Sequence, residues 1–591
     1  MSKFTIPNSA GQIRQVNRGD VFGELWETFG IDLTSSIGKL KTSTRLAPTI
    51  STTASDNADW QTGCIFDGSI YWYGDNRRAI IGAERNPRIS GSWTAGTISF
   101  DVGQESDSVV FNEKLLVSTG TNIAMSTNGS TFDNDWWTTV NIGGETGSAL
   151  TVGVPHTMDV SLVGHETVFV TNGNKVHYAN ESAGHSTVTL PAHLVACSIA
   201  TDPFATWVGT YSNSGDAYVY EIYVGETLDS TPVARRSYRI KGASAVLSMD
   251  VSDDGVPYLV TDKGYIHVYN GRSFVPVAQF PFASKGYSLA GLSLGNVDDD
   301  NIVRAIHPKG MRADGKSLLI NINTDNQLIT DLASNPDDND DVFNNYVVDE
   351  RSPSGVWEFN IETGTLNHIA PLTNDSSQNG FHRHQSSGPI LVTNNQYTRF
   401  LTTSRVQSDR TDIYAEDPTT TPFGYFVTSE IQSDSILDAW EQLAIQKDIL
   451  NSETISVKYR TSKRASMPKY GLGTWTKTNT VVVSEDISSI IEDGDLVEVI
   501  DGYGAGKIAH VSSSTSSSTT TTITLDTAIG SIGEASTVRF WNFKTFSLED
   551  NANYDSGGTA ETSTWVQFMV VLNGMVEVRQ LLSKGNANGE V

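Results

Sequence analysis

LSMDVSDDGVPYLVTDKGYIHVYNGRSFVPV, residues Leu247 to Val277, is the stretch from which the fold is read. Asp254-Gly255, Lys263-Gly264 and Asn270-Gly271 interrupt it. Each is a tight-turn signal, because Gly takes φ > 0 without strain and Asn or Asp nearly does. Between the turns, Val256, Tyr258 and Val260 alternate with Pro257 and Leu259. Tyr265, His267 and Tyr269 alternate with Ile266 and Val268. Both sets are largely apolar, so both faces of the sheet need cover. Three turns joining four strands predict an antiparallel meander.

Similar units recur on both sides. IFDGSIYWYGDNRRAIIGA starts at Ile65, VVFNEKLLVSTGTNIAMST at Val109 and ETVFVTNGNKVHYAN at Glu166. ATWVGTYSNSGDAYVYEIYVGE starts at Ala205, DGKSLLININ at Asp314, GVWEFNIETGTLNHIAPL at Gly355 and GPILVTNNQYTRFL at Gly388. Helical periodicity is nearly absent, and short alternating runs between Gly, Asn and Asp mark an all-β chain. A small sheet with two apolar faces is unstable alone. Stacking such sheets radially buries both faces and leaves only short edges, which is a β-propeller. The expected fold is therefore all-β, with a β-propeller of about seven blades over 51–420. An elongated β-solenoid or a string of sandwiches is the competing arrangement.

The pattern changes after Thr420. FGYFVTSEIQ (from Phe423), ETISVKYRTS (from Glu453) and STWVQFMVVL (from Ser563) read as strands of one β-sandwich, expected at 421–478 and 541–591. ILDAWEQLAIQKDIL, from Ile436, fits either a helix or a strand. Residues 479–540 read as a small inserted β-barrel, with the Ser/Thr run 512–522 as a hairpin tip or a Thr-rich strand pair. Residues 1–50 have too few apolar runs to fold alone, and are expected to form an arm docked on this subunit or a neighbour.

The composition excludes several functions. The chain has 591 residues, 40 Lys plus Arg, 68 Asp plus Glu and a formal charge of −28. That balance argues against a broad nucleic-acid-binding surface, which needs a basic footprint. Aromatic residues make up 9% of the chain, enough to supply a core and to exclude wholesale disorder. Cys64 and Cys197 are too few for a disulfide framework or a multi-cysteine zinc site, and are expected to be buried. The first twenty residues contain no apolar h-region, and no run of 18 apolar residues occurs, so neither a secretory signal nor a membrane span is expected.

The chemistry-bearing motifs are weak. DGYGAGK, Asp501 to Lys507, lacks the glycine spacing of a phosphate loop, and Ile508 follows the Lys where Ser or Thr is needed. STNGSTF, Ser126 to Phe132, resembles the Asp-box hairpin of sialidase-like propellers, with Asn128 in place of Asp and one residue missing before Gly129. That motif is structural, and Arg235 and Arg236, being adjacent, would point to opposite faces of a strand. The acidic runs Asn296–Asn301 and Asn335–Asp341 could supply calcium ligands, but neither has EF-hand spacing. His382 and His384 would share a strand face, with His368 the nearest third ligand in sequence. No catalytic, cofactor-binding or metal-ligating residue is assigned from these patterns, and no cofactor is expected.

Several stretches carry a resemblance. GDVFGELWETFGIDLTSSIGKLKTSTRL (from Gly19), KLLVSTGTNIAMSTNGSTFDNDWWTT (from Lys114) and PYLVTDKGYIHVYNGRSFVPVAQFP (from Pro257) resemble propeller-bearing virion proteins of tailed bacteriophages. So do ISVKYRTS (from Ile455) and WVQFMVVLNG (from Trp565). In architecture the chain is similar to the tail nozzle proteins of short-tailed phages. That resemblance implies a non-enzymatic component of the virion tail, assembled in the host cytoplasm. It implies a homo-oligomeric ring, with a hexamer favoured, through which DNA passes transiently without stable nucleic-acid binding. Its partners would be other tail proteins: adaptor, fibre or spike. An acidic lumen would let phosphates slide by repulsion. A receptor-binding propeller, a sialidase-like glycosidase and a scaffold of an ordinary bacterial complex are the alternatives.

Overall fold

The computed structural model describes residues 2–5, 25–32, 40–42, 45–48, most of 61–280, 306–322, 355–371 and most of 387–587. Strands dominate, and the described residues include one short helix, Trp136–Thr139. Val246–Val251, Pro257–Thr261, Tyr265–Tyr269 and Phe274–Gln279 pair in sequence order, as the turn dipeptides dictate. Gly255, Gly264 and Gly271 hold φ of +76°, +68° and +86°, the left-handed region the turns require.

Seven small antiparallel sheets follow one another and are numbered here as blades. Blade 1 runs from Thr62 to Ala95, blade 2 from Ser108 to Ser126, blade 3 from Met158 to Thr189 and blade 4 from Leu194 to Ile240. Blade 5 is the meander just described. Blade 6 runs from Met311 to Pro371 and blade 7 from Ser387 to Asp417. The innermost strand of each blade touches that of the next, and Ser387–Val392 of blade 7 touches Thr62–Phe66 of blade 1. The circle is closed: the chain is all-β and carries a β-propeller.

Closure is also sealed by a strand from the other end of the propeller segment. Arg45–Pro48 hydrogen-bonds to Arg410–Asp417 as the fourth strand of blade 7. The blade that ends the circle is completed by a strand from before its start, so opening the wheel requires breaking that ladder. Apolar side chains fill the gaps between blades. Tyr258, Val260 and Ile266 of blade 5 pack on Leu318, Ile320 and Trp357 of blade 6. Trp207 and Val219 of blade 4 pack on Met249, Leu259 and Phe274 of blade 5. Each such side chain contributes about 1.5–3 kcal/mol by leaving water.

The remaining strands form a large terminal sheet system and a smaller insert. Phe423–Thr428, Thr454–Thr461 and Trp565–Asn573 pair together, and Asp438–Ile449 pairs along its length with Val576–Ala587. Four N-terminal strands join them. Ser2–Thr5 and Leu40–Thr42 pair with Val576–Ala587, and Leu25–Phe29 pairs with Phe423–Thr428, while Ile31–Asp32 pairs with Leu40–Thr42. Leu25, Ile31 and Leu40 share one core with Phe426, Val457, Val570 and Val578. The ambiguous stretch after Ile436 is thus a strand, because pairing with a distant partner overrides a weak local helix pattern.

Six strands between Lys469 and Trp541 make the insert. The Ser/Thr run forms the pair Ile508–Ser516 and Thr521–Leu525, turned by Ser517 and Thr520, whose hydroxyls lie 2.9 Å apart. Buried Glu498 anchors the insert to the terminal sheets. It accepts from Arg539 Nη2 at 2.6 Å, Tyr425 Oη at 3.0 Å and Trp541 Nε1 at 3.1 Å.

Candidate functional site: the charged axis of the propeller

The propeller brings five charged residues to its axis, none of them singled out by a sequence motif. Lys309 sits in the turn before the innermost strand of blade 6 and is 1% exposed. Its backbone carbonyl accepts Ile390 N–H of blade 7 at 2.9 Å. Its Nζ donates to the Ile199 carbonyl of blade 4 at 3.2 Å and lies 3.8 Å from Asp107 Oδ2, at the start of blade 2. Blades 6 and 2 stand across the wheel from each other, so this side chain spans the axis.

Asp107 is held on every side. Ser108 N–H donates to Oδ1 and Met158 N–H to Oδ2, both at 2.8 Å. Burial pushes its carboxyl above the ordinary range, while Lys309 and Arg312 pull it back. Asp250, on blade 5, accepts Ala313 N–H at 2.7 Å and lies 3.7 Å from Arg312 Nη1. Burial raises this carboxyl too, against Arg312. Burial would lower Arg312, but Asp250, Asp107 and Asp159 outweigh it and keep the guanidinium charged. Three carboxylates from blades 2, 3 and 5 therefore surround two cations from blade 6. With both Asp107 oxygens taken by backbone donors and a cation, the arrangement fixes strands across the axis.

A second polar belt joins blade to blade. Ser108 Oγ donates to Gly63 O at 3.2 Å and Ser118 Oγ to His156 O at 3.3 Å. Thr157 Oγ1 donates to Cys197 O at 2.7 Å and Ser198 Oγ to Val246 O at 3.4 Å. Ser248 Oγ donates to Pro308 O at 2.8 Å, and Asn321 Nδ2 to Gly388 O at 3.2 Å. Ser248 Oγ also accepts Met311 N–H at 3.1 Å. Ser248→Ala strands two buried backbone groups and is expected to cost about 1–3 kcal/mol in chemical denaturation. Ser273→Ala, at an exposed turn, is the control and should stay within about 0.5 kcal/mol.

The residues considered from sequence are dispersed. Cys64 and Cys197 are both buried and unbridged, and burial pushes the Cys64 thiol up to about 12, which keeps it inert. Asn128 Oδ1 accepts Ser130 N–H at 2.8 Å and Thr131 N–H at 2.9 Å, and Gly129 has φ +67°. A Cβ at Gly129 would meet Tyr71 at 2.7 Å, and Tyr73 Oη donates to the Gly129 carbonyl at 2.8 Å. The Asp-box-like hairpin is thus a clasp on blade 1. Arg235 and Arg236 are both exposed, because the ladder slips by one residue opposite Glu221 and Ile222 and upsets strict alternation.

His368 stacks on Trp357, with centroids 4.6 Å apart. His382, His384 and the acidic runs Asn296–Asn301 and Asn335–Asp341 lie outside the described residues, as do residues 503–507 of the glycine-rich turn. Among the described residues no group of three His, Cys, Asp or Glu side chains could hold a metal ion. No described helix is long and apolar enough to cross a membrane. Lys458 is a buried amine that burial draws down to about 8, and at 2% exposure it is closed to a substrate.

No protein-family model matches the sequence, and no curated protein matches it. Solved structures with a similar fold include virginiamycin B lyase from Staphylococcus aureus, at 8% identity and a TM-score of 0.38, covering 63% of this chain and 99% of that one. Chaetomium thermophilum Raptor is 10% identical with a TM-score of 0.36, covering 64% of this chain and 29% of that one. The Dos1 propeller is 8% identical with a TM-score of 0.34, covering 66% of this chain and 95% of that one. Likenesses this distant concern the fold and carry no activity across.

Proposed function

We propose that this chain is a non-catalytic structural component of a tailed-bacteriophage virion, a subunit of the nozzle ring at the end of a short tail. The observation that carries this reading is how the two halves are sewn together. Leu40–Thr42 pairs with the last long strand of the chain, and Arg45–Pro48, next in sequence, closes blade 7. A pull between propeller and terminal sheets is resisted by backbone ladders at both ends of one short segment. The cross-axis contacts of Lys309 and Asp107 stiffen the wheel in the other direction. Such a body suits a mechanical role.

In this reading DNA passes between subunits, because charged side chains occupy the propeller's own axis. A net charge of −28 supports sliding without adhesion. A receptor-binding propeller is the second reading. Leu162 and Phe204, 78% and 74% exposed, follow the innermost strands of the adjacent blades 3 and 4 and share one face of the wheel. Electron microscopy of purified particles labelled with an antibody to this chain separates the two. A ring of label around the distal tail opening is expected. Label confined to fibres or spikes would favour receptor binding, and unlabelled particles would remove both.

A further inference from the structure

We propose that the outer edge of blade 4 docks on the acidic loop of the insert of a second copy of this chain. This rests on the ring reading and names the contact that builds the ring. Val233–Ile240 is the outermost strand of blade 4 and pairs with Ala217–Tyr223 on one side. Residues Val233 to Ser237 are all exposed, and Val233 keeps 53% of its surface. The outer strand of blade 6, by contrast, lies against Leu25–Phe29 and Ile31–Asp32. Among the described residues no strand pairs with the other side of Val233–Ile240, and a strand edge of this kind presents backbone groups that natural proteins cover, charge or use.

This edge is basic on an acidic chain. Arg235, Arg236, Arg239 and Lys241 fall within seven residues. Among the described residues two anions answer them: Arg239 bonds Asp216, and Glu221 stands opposite Arg236 in register. From Val233 to Lys241 the sequence carries these four cations and no anion, so the outer strand itself is basic. The Arg235 guanidinium carbon lies over the Tyr223 ring, 5.3 Å from its centroid, which anchors this exposed cation at the edge.

The complementary patch is in the insert. Glu485, Asp486, Glu492 and Asp493 are exposed on the segment that follows Thr480–Val483, whose Val482 is 48% exposed. No Lys or Arg occurs from Thr480 to Asp501. One patch sets a valine beside cations, and the other sets a valine beside anions. Blade 4 stands two blades away from blade 6, where the N-terminal strands of the terminal sheets pack. The basic and acidic patches are two different surfaces of one chain, so contact between copies is head-to-tail. A contact of that kind closes into a ring when the rotation permits.

The test uses the full chain, with light scattering and mass photometry at low and high salt. The wild type is expected to form multi-subunit species that salt weakens. Arg235→Glu/Arg236→Glu and Glu485→Lys/Asp493→Lys are each expected to weaken assembly at least tenfold, leaving monomers. In a mixture every junction is complementary again, native at one and charge-reversed at the next, so mixing the two variants should restore assembly in alternating copies. A chain carrying all four changes should assemble again. The sites are exposed, and an unchanged melting midpoint verifies folding. If the arginine reversal melts early, Arg235→Gln/Arg236→Gln replaces it. Variants that assemble like the wild type overturn this contact, reduce the arginines to edge protection and leave the ring reading standing. A wild type that is monomeric at every concentration overturns the contact too, and particle labelling then decides the virion reading separately.

Discussion

Lys309→Met is expected to destabilise the propeller by about 3–5 kcal/mol, because it removes the ammonium 3.8 Å from the buried Asp107 carboxylate and leaves Arg312 as its remaining counter-charge. The methionine refills most of the volume, so the loss reports charge more than a cavity. Lys309 also gives up its bond to the Ile199 carbonyl, which adds a buried unsatisfied acceptor. Adding Asp107→Asn should recover part of the loss, since the neutral amide no longer needs a counter-charge. Recovery is incomplete, because an amide has one acceptor oxygen where Asp107 uses two for Ser108 N–H and Met158 N–H. Calorimetry of the propeller transition in a double-mutant cycle measures the coupling. If the two single losses simply added, the cross-axis pair would be no more than a neighbourly contact.

Acid is the second large lever, and it acts on blade 3. His156, His177 and His185 are buried, and burial draws each imidazole from 6.5 down to about 4. His177 has Asn172 and Thr187 on its two ring nitrogens, at 3.0 and 2.8 Å. His185 lies edge-on to Trp137 at 4.4 Å, with neither ring nitrogen hydrogen-bonded. Between these pKa values the unfolded chain binds more protons than the folded one. Stability is therefore intact above pH 6.5 and falls as pH drops towards 4.

Asp107 and Asp250 oppose this trend, since carboxyls raised by burial take up their protons in the folded state first. Asp314 is raised by burial as well, while His267 and His510 are lowered like the other imidazoles, so five histidines stand against three carboxyls and the net expectation is acid lability. His185→Phe should reduce the slope in urea unfolding between pH 6.5 and 4.5, with little effect at pH 7.5. An unchanged slope would place the acid sensitivity elsewhere.

Residues with local signals were readable before any coordinates. Asp254-Gly255 and Asn270-Gly271 demand turns whatever surrounds them, and Tyr258, Val260 and Ile266 demand cover on two faces. The Ser126–Phe132 hairpin could be read as a structural clasp, because an Asn side-chain oxygen directly before a glycine caps its own loop. Lys309 gave no such signal. His-Pro-Lys-Gly-Met has no charge pattern, and the partner Asp107 is some two hundred residues earlier. The belt of Ser118, Thr157, Ser198 and Ser248 was equally silent, since a buried hydroxyl and a solvated one are the same letter.

Amino-acid order alone determined that this chain makes short antiparallel meanders and must stack them, because turn chemistry and two-faced apolar alternation act over a few residues. Tertiary structure decided that Arg45–Pro48 completes blade 7 and that Asp438–Ile449 is a strand. It also placed the charges of blades 2, 3, 5 and 6 on one axis. Those outcomes depend on partners far away in sequence, whose hydrogen bonds and counter-charges exist only once the chain has folded.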